Sequence, residues 1–186
     1  PVSLPSGEIS LVAPSETKVD DASVRRQLAA RDYIENINYA LVDETLLNNW
    51  GLQSNSVPLA NPLTSELGVM RTSLLPGLVE ALRRNLARQQ NRIRLFEIGK
   101  VFHQASGKGE APVETRRIAG VICGNADAEQ WAIKNAEADF FDLKADVESL
   151  LKLANVTAEF VAPDADFAHP GRSANIMLQG NKIGWL

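Results

Sequence analysis

The sequence predicts an α+β domain in which an antiparallel β-sheet is flanked by helices. Three observations carry this. Apolar residues recur at helical spacing in two stretches, 75–86 and 140–154. Two long β-type stretches, 93–103 and 116–123, are joined by a polar segment with no helix between them, which makes them antiparallel. The C-terminal region then reads as short strands with a hairpin signal, so helices and strands are segregated and not alternating.

Composition sets the bounds. The chain has 186 residues; at roughly 150 residues per domain that is one domain, or one and part of another. Nineteen basic and 23 acidic residues give a net charge of −4, with 45% hydrophobic and 23% charged residues. This is globular composition and excludes disorder, fibres and general coating of nucleic acid. One cysteine, Cys123, and two histidines, His103 and His169, are too few for a disulfide framework or a Cys/His zinc site, so a metal would need carboxylate ligands. The longest apolar run, 118–124, is far short of the roughly 20 residues that span a bilayer. With a single thiol and no targeting segment, a reducing, cytoplasmic location is expected. The chain starts at Pro1 without methionine and stops in a strand-like pattern, so both ends read as cut and the expectation is a piece of a longer protein.

In chain order, residues 1–14 form a Ser/Pro/Gly-containing leader, a linker or edge strand, and 15–186 form the domain. Asp20 and Asp21 are N-cap types opening a helix to about Arg31, with Val24, Leu28 and Ala29 on one stripe. Residues 33–42 alternate enough to be one strand. Asp43 caps a short helix through Trp50, which Gly51 ends, and 53–64, rich in Asn, Ser and Pro, read as loop. Thr72 and Ser73 precede a helix with Pro76 near its first turn and Leu75, Leu78, Val79, Leu82 and Leu86 on its apolar face. A long strand at 93–103 is expected to break or bulge at Gly99; 104–115 is a polar loop and 116–123 the returning strand. Asp139 caps the helix over 140–154, carried by Leu143, Val147, Leu150 and Leu151. Strands at 156–162, 173–179 and from Lys182 onward follow, the last two joined by a Gly180-Asn181 turn.

Several patterns invite a chemical reading, each with a plainer structural one. Ser106-Gly107-Lys108-Gly109 lacks the upstream glycine and the Ser or Thr after lysine of a P-loop, and a hairpin tip explains it. His169 and Ser173 are separated by the breaker Pro170-Gly171, with no orienting acid nearby, so a turn histidine is favoured over a nucleophile pair. Asp139, Asp142 and Asp146 resemble a carboxylate cluster, but capping and the helix dipole explain most of it. Cys123 reads as a small buried hydrophobe. Between Arg71 and Arg94 lie six arginines (Arg71, Arg83, Arg84, Arg88, Arg92, Arg94) against one acid, Glu80, a local net of +5. Such a segment is a solvated helix face, a subunit contact or an RNA contact.

Taken in order, Asn61-Pro62-Leu63-Thr64-Ser65-Glu66, Met70-Arg71-Thr72-Ser73-Leu74-Leu75-Pro76-Gly77-Leu78, and Phe96-Glu97-Ile98-Gly99-Lys100-Val101-Phe102 resemble the β subunit of bacterial phenylalanyl-tRNA synthetase. So do Ala119-Gly120-Val121-Ile122-Cys123-Gly124, Asp139-Phe140-Phe141-Asp142-Leu143-Lys144 and His169-Pro170-Gly171, and the match spans nearly the whole chain. The resemblance implies the synthetase-like domain of that subunit: a fold like the class II aminoacyl-tRNA synthetase catalytic domain, without activity of its own. Class II enzymes carry an aromatic followed by Arg-x-Glu, the arginine neutralising the ATP α-phosphate during adenylate formation. Here Phe102 is followed by His103, Gln104 and Ala105, and a histidine is a poor substitute for a permanent guanidinium. No catalytic, cofactor or metal ligand is therefore assigned to this chain, and the position around His103 is expected to be filled or occluded. The first class II motif, a helix running into an interface strand that ends in proline, resembles residues 24–41, with Tyr39 where the proline belongs. That makes Val24, Leu28, Arg31, Tyr33 and Tyr39 candidate contacts to the catalytic α subunit of an (αβ)₂ heterotetramer. The whole enzyme implied by the resemblance joins phenylalanine to tRNA with ATP and Mg²⁺. The alternative is an RNA-contacting module using Arg71, Arg83, Arg84, Arg88 and Arg92.

Overall fold

A computed structural model describes residues 19–105, 107, 110–163, 169 and 171–186. The leader at 1–14 and most of the Ser106 to Gly109 loop lie outside them, as does Pro170.

The centre of the fold is a pair of 11-residue strands, β5 (Ile93–His103) and β6 (Val113–Cys123), antiparallel in unbroken register from Ile93 opposite Cys123 to His103 opposite Val113. β1 (Ile34–Glu35) adds to the other side of β5 in parallel, so this sheet is mixed and not purely antiparallel. Gly99 pairs with Arg117 without a break, which corrects the expected bulge. A Cβ at Gly99 would lie 2.3 Å from the Arg71 guanidinium, so the glycine answers a close approach from another element and not a kink in its own strand. β6 also starts earlier than expected, shortening the polar loop.

Alternation along β5 sorts its side chains onto two covered faces. Phe96 and Ile98 join Leu28, Tyr33, Val24, Ile122 and Leu150 beneath α1 (Asp21–Ala29) and α4 (Phe140–Leu153). Ile93 and Leu95 pack on the opposite face with Leu78 and Leu82 of α3 (Leu75–Ala87). Burying side chains such as Leu78 and Phe96 stabilises the fold by about 1.5–3 kcal/mol each.

Local chemistry explains the helix starts. The Asp20 carboxylate accepts the Ser23 N–H at 2.8 Å and that of Asp43 accepts the Thr45 N–H at 2.7 Å, starting α1 and α2 (Glu44–Asn49). Pro76 sits in the first turn of α3, and the Ser73 hydroxyl accepts the Leu75 N–H at 3.2 Å. Asp139 and Asp142 form a reciprocal capping box on α4.

The expected strand over 33–42 is two short strands in different sheets. β1 serves the central sheet, whereas β2 (Leu41–Val42) pairs with β4 (Val69–Met70), which also pairs with β3 (Val57–Pro58) inside the segment read as loop. A single 3₁₀ turn, Ser65–Leu67, precedes β4. The third sheet orders β7 (Glu159–Val161), β8 (Asn175–Leu178) and β9 (Asn181–Trp185) antiparallel. Its Ile176, with Ala174 and Leu186, packs on Phe140, Leu143 and Val147 of α4. Leu178 pairs with Asn181, so the hairpin turn is Gln179-Gly180, both at positive φ, one residue earlier than Gly180-Asn181. Among the described residues no helix is long and apolar enough to cross a membrane.

Candidate functional site

Between β1 and β2 the chain crosses residues 36–40 with side chains alternately outward and inward. Ile34, Ile37 and Tyr39 are 68%, 87% and 81% exposed, large apolar groups presented to solvent from a short stretch. Their backbone is fixed at each end: the Asn36 N–H donates to Phe96 O at 2.7 Å and the Arg71 N–H to Ala40 O at 2.9 Å. In between, Asn38 turns inward and its Nδ2 donates to Glu97 Oε2 at 2.7 Å.

Of the five subunit-contact candidates, Tyr39 alone belongs to this exposed set. Leu28 and Tyr33 are buried core residues and Val24 packs against them, so these three are corrected from surface to interior. The reason is that α1 turns its apolar stripe onto Phe96 of β5, leaving Arg25 and Arg26 outside. Arg31 is tied down too: its Nε donates to Asp146 Oδ1 at 2.7 Å. Ile34 and Ile37, the exposed partners of Tyr39, show in the sequence only as strand alternation.

The basic segment divides in the same way. Arg71 and Arg94 are 6% and 8% exposed, and neither belongs to a surface patch. Arg71 Nη1 donates to Glu97 Oε1 at 2.5 Å and its Nε to Lys100 O at 3.0 Å. Arg94 donates to Asp146 Oδ2 at 3.3 Å and to Ala126 O at 2.8 Å. Arg92 bridges Asp32, at 2.9 Å, and Ala126 O, at 3.0 Å. Arg83 is exposed but held by Glu80 at 2.9 Å, which leaves Arg84 and Arg88 as the exposed arginines of the segment without an ion pair among the described residues. The +5 of the sequence is mostly internal cross-linking.

Asp146 is the acid that the carboxylate-cluster reading misplaced. Asp139 and Asp142 serve the cap of α4, while Asp146 is buried and accepts Arg31, Arg94 and, at 2.6 Å, the Tyr33 hydroxyl. Burial first, and the adjacent Asp146 second, push the Tyr33 hydroxyl well above its ordinary pKa of 10.0. A signal existed in the sequence: Asp146 falls on the apolar stripe of Leu143, Val147 and Leu150, where a carboxylate demands a buried partner.

At the end of β5, His103 is half-buried and pairs with Val113 across the ladder. Gln104 donates its backbone N–H to Asn55 O at 2.8 Å, and Ala105 follows before the loop. At the other suggested site, the Ser173 hydroxyl bonds the His169 carbonyl at 2.7 Å, a turn contact.

Residues 1–186 match the family described as the phenylalanyl tRNA synthetase beta chain CLM domain. The chain belongs to this family. It is 52% identical over all 186 residues to the phenylalanine–tRNA ligase beta subunit of Xanthomonas campestris pv. campestris (strain 8004), and 47% identical to that of Xylella fastidiosa (strain 9a5c). The CLM-domain chain spans 23% and 24% of those proteins, about a quarter of their length. A pyrrolysyl tRNA synthetase from Desulfitobacterium hafniense superposes with a TM-score of 0.59 over 83% of this chain and 50% of its own, at 17% identity. The CLM domain therefore has a synthetase-like α+β fold.

Proposed function

We propose that this CLM domain is the non-catalytic, class II-like scaffold of a phenylalanine–tRNA ligase beta subunit, a cytoplasmic protein docked on a catalytic α subunit in an (αβ)₂ assembly. The observation that carries it is the exposed triad Ile34, Ile37 and Tyr39 on a segment fixed at both ends. Three large apolar groups held toward water on a soluble fold are the makings of an interface core. The chemistry belongs to the partner, since Phe102 leads into His103, Gln104 and Ala105 and not into the Arg-x-Glu whose arginine would meet an α-phosphate. ATP, Mg²⁺, phenylalanine and tRNA are substrates and cofactors of the whole enzyme, and residues 15–186 serve it as one synthetase-like unit.

The test uses the full-length beta subunit with its α partner. Ile37→Asp and Tyr39→Asp each place a charge where apolar surface is to be buried. Loss of about 1.5–3 kcal/mol of burial per site amounts to roughly a 10- to 100-fold weaker complex. Assembly at wild-type affinity with both substitutions present would show that this face is not the interface. The RNA-contacting alternative now rests on Arg84 and Arg88. Their charge reversal together should leave tRNA affinity and its salt slope unchanged; a clearly shallower slope would favour that reading.

A further inference from the structure

We infer that Asn38 is the positioning residue of the docking segment: seated on Gly77 and tied to Glu97, it holds Ile37 and Tyr39 in the outward arrangement that the partner subunit meets. The inference rests on the proposed contact of residues 34–39 with that subunit and adds what gives the contact its shape.

Among the described residues, the backbone groups of 37, 38 and 39 make no backbone hydrogen bonds. Anchored only at Asn36 and Ala40, such a stretch has freedom that docking would have to remove, and a pre-ordered segment binds more tightly for that reason. What orders it is a side-chain relay running inward from Asn38. Its Nδ2 donates to Glu97 Oε2 at 2.7 Å, the other carboxylate oxygen accepts Arg71 Nη1 at 2.5 Å, and Arg71 Nε reaches Lys100 O at 3.0 Å. Glu97 is 3% exposed and Arg71 6%, so the relay is an interior structure and not a surface pair.

Two absent side chains make room for it. A Cβ on Gly77 of α3 would lie 3.0 Å from both Asn38 Cγ and Nδ2 and 3.1 Å from its Cβ. A Cβ on Gly99 of β5 would lie 2.3 Å from Arg71 Nη2 and 3.1 Å from Leu74 Cδ2. Gly77 is thus the seat of Asn38, and Gly99 the gap through which the Arg71 guanidinium passes. None of Asn38, Gly77 and Gly99 is an exposed residue, whereas Ile37 and Tyr39 are, so the effect of the three on assembly travels through the geometry of that pair.

This arrangement gives an experiment in which association moves much more than stability. Alanine favours a helix over glycine, which offsets part of the cost of taking Asn38 from the buried Glu97, so Gly77→Ala in the full-length subunit should shift the unfolding midpoint only slightly. The same change crowds Asn38 off its seat and should weaken binding to the α subunit about 10-fold. Asn38→Ala should weaken it by a similar factor; should that variant not fold, Asn38→Ser, whose hydroxyl is too short to reach Glu97, carries the same comparison. In the Asn38→Ala background, Gly77→Ala should cost nothing further, because both act through one contact. If Ile37→Asp weakens assembly about 10-fold or more while Asn38→Ala and Gly77→Ala each change affinity less than twofold, the positioning role is wrong and the docking surface stands. Fully additive losses from the two substitutions also overturn it. If Ile37→Asp leaves assembly intact, the docking reading fails, and this inference with it.

Discussion

Replacing Asp146 by alanine should be among the most damaging single changes outside the apolar core. Its side chain is 8% exposed and receives three donors: Arg31 Nε at 2.7 Å, Tyr33 OH at 2.6 Å and Arg94 Nη1 at 3.3 Å. Arg31, with a third of its side chain exposed, is rehydrated when the acid is lost. Arg94 cannot be, since its side chain is 7% exposed; it keeps Ala126 O and the Tyr33 ring 5.6 Å away, but no counter-charge. Breaking a buried pair by removing one partner costs about 3–5 kcal/mol. The stranded tyrosine hydroxyl alone would cost about 1–3 kcal/mol, a loss that overlaps with the first because the groups share one network. An overall loss of about 3–5 kcal/mol is expected, which for a chain of this size lowers the unfolding midpoint by roughly 6–20 °C. Urea unfolding followed by tryptophan fluorescence, with circular dichroism as the second probe, measures it. Asp146→Asn keeps an acceptor for Tyr33 and should lose less. A loss below about 1 kcal/mol for Asp146→Ala would mean that water reaches Arg94 and that the network is not a buried one.

Two further outcomes follow from the same contacts. Because folding raises the Tyr33 pKa, the unfolded chain releases its phenolic proton first; the stability tied to Tyr33 is full below pH 10.0 and is lost as pH climbs toward the folded value. Tyr33→Phe should flatten that alkaline decline, and absorbance titration in a Tyr39→Phe background should show no tyrosinate forming near the ordinary pKa while the fold persists. Asp139→Ala removes the side-chain half of the capping box, the carboxylate that accepts the N–H groups of Phe141 at 2.7 Å and Asp142 at 3.3 Å, and leaves the 139 N–H that donates to Asp142. It should cost about 1 kcal/mol, read as a lower urea midpoint at unchanged slope.

Where local chemistry decides, the sequence was a good guide. Asp43 and Asp139 announced their helices, Pro76 marked the first turn of α3, and the apolar alternation of 93–103 produced the central strand to the residue. It failed where a long-range partner decides. Residues 33–42 alternate like one strand, yet Leu95 and Phe96 claim their beginning and Val69 and Met70 their end. Val24, Leu28 and Tyr33 fit an outward-facing motif in the sequence, but a motif's pattern does not say which face of its helix meets the body of the same domain. The arginines misled for a related reason. Charge density along a chain is legible, whereas the acids that absorb it, Asp32, Glu97 and Asp146, come from elsewhere in the sequence.

The two buried charge clusters lie on opposite faces of β5, because Arg94 and Glu97 differ in parity along one strand. On one face Arg94 meets Asp146 of α4 and, through it, Arg31 beside α1; on the other Glu97 meets Arg71 and Asn38. Apolar packing alone would tolerate a sliding of α1 or of residues 36–40 over a smooth surface, since area burial is nearly indifferent to small shifts. Charged hydrogen bonds are not indifferent, since a displacement of about 1 Å already takes such a contact out of range. β1, which carries Ile34, is therefore constrained from both sides: Tyr33 before it is tied to Asp146, and Asn38 beyond it to Glu97. Such polar interior clusters suit a domain whose task is to present one edge in a fixed position. The same reasoning separates the two clusters experimentally, since Asp146→Ala should act mainly on stability and Asn38→Ala mainly on association.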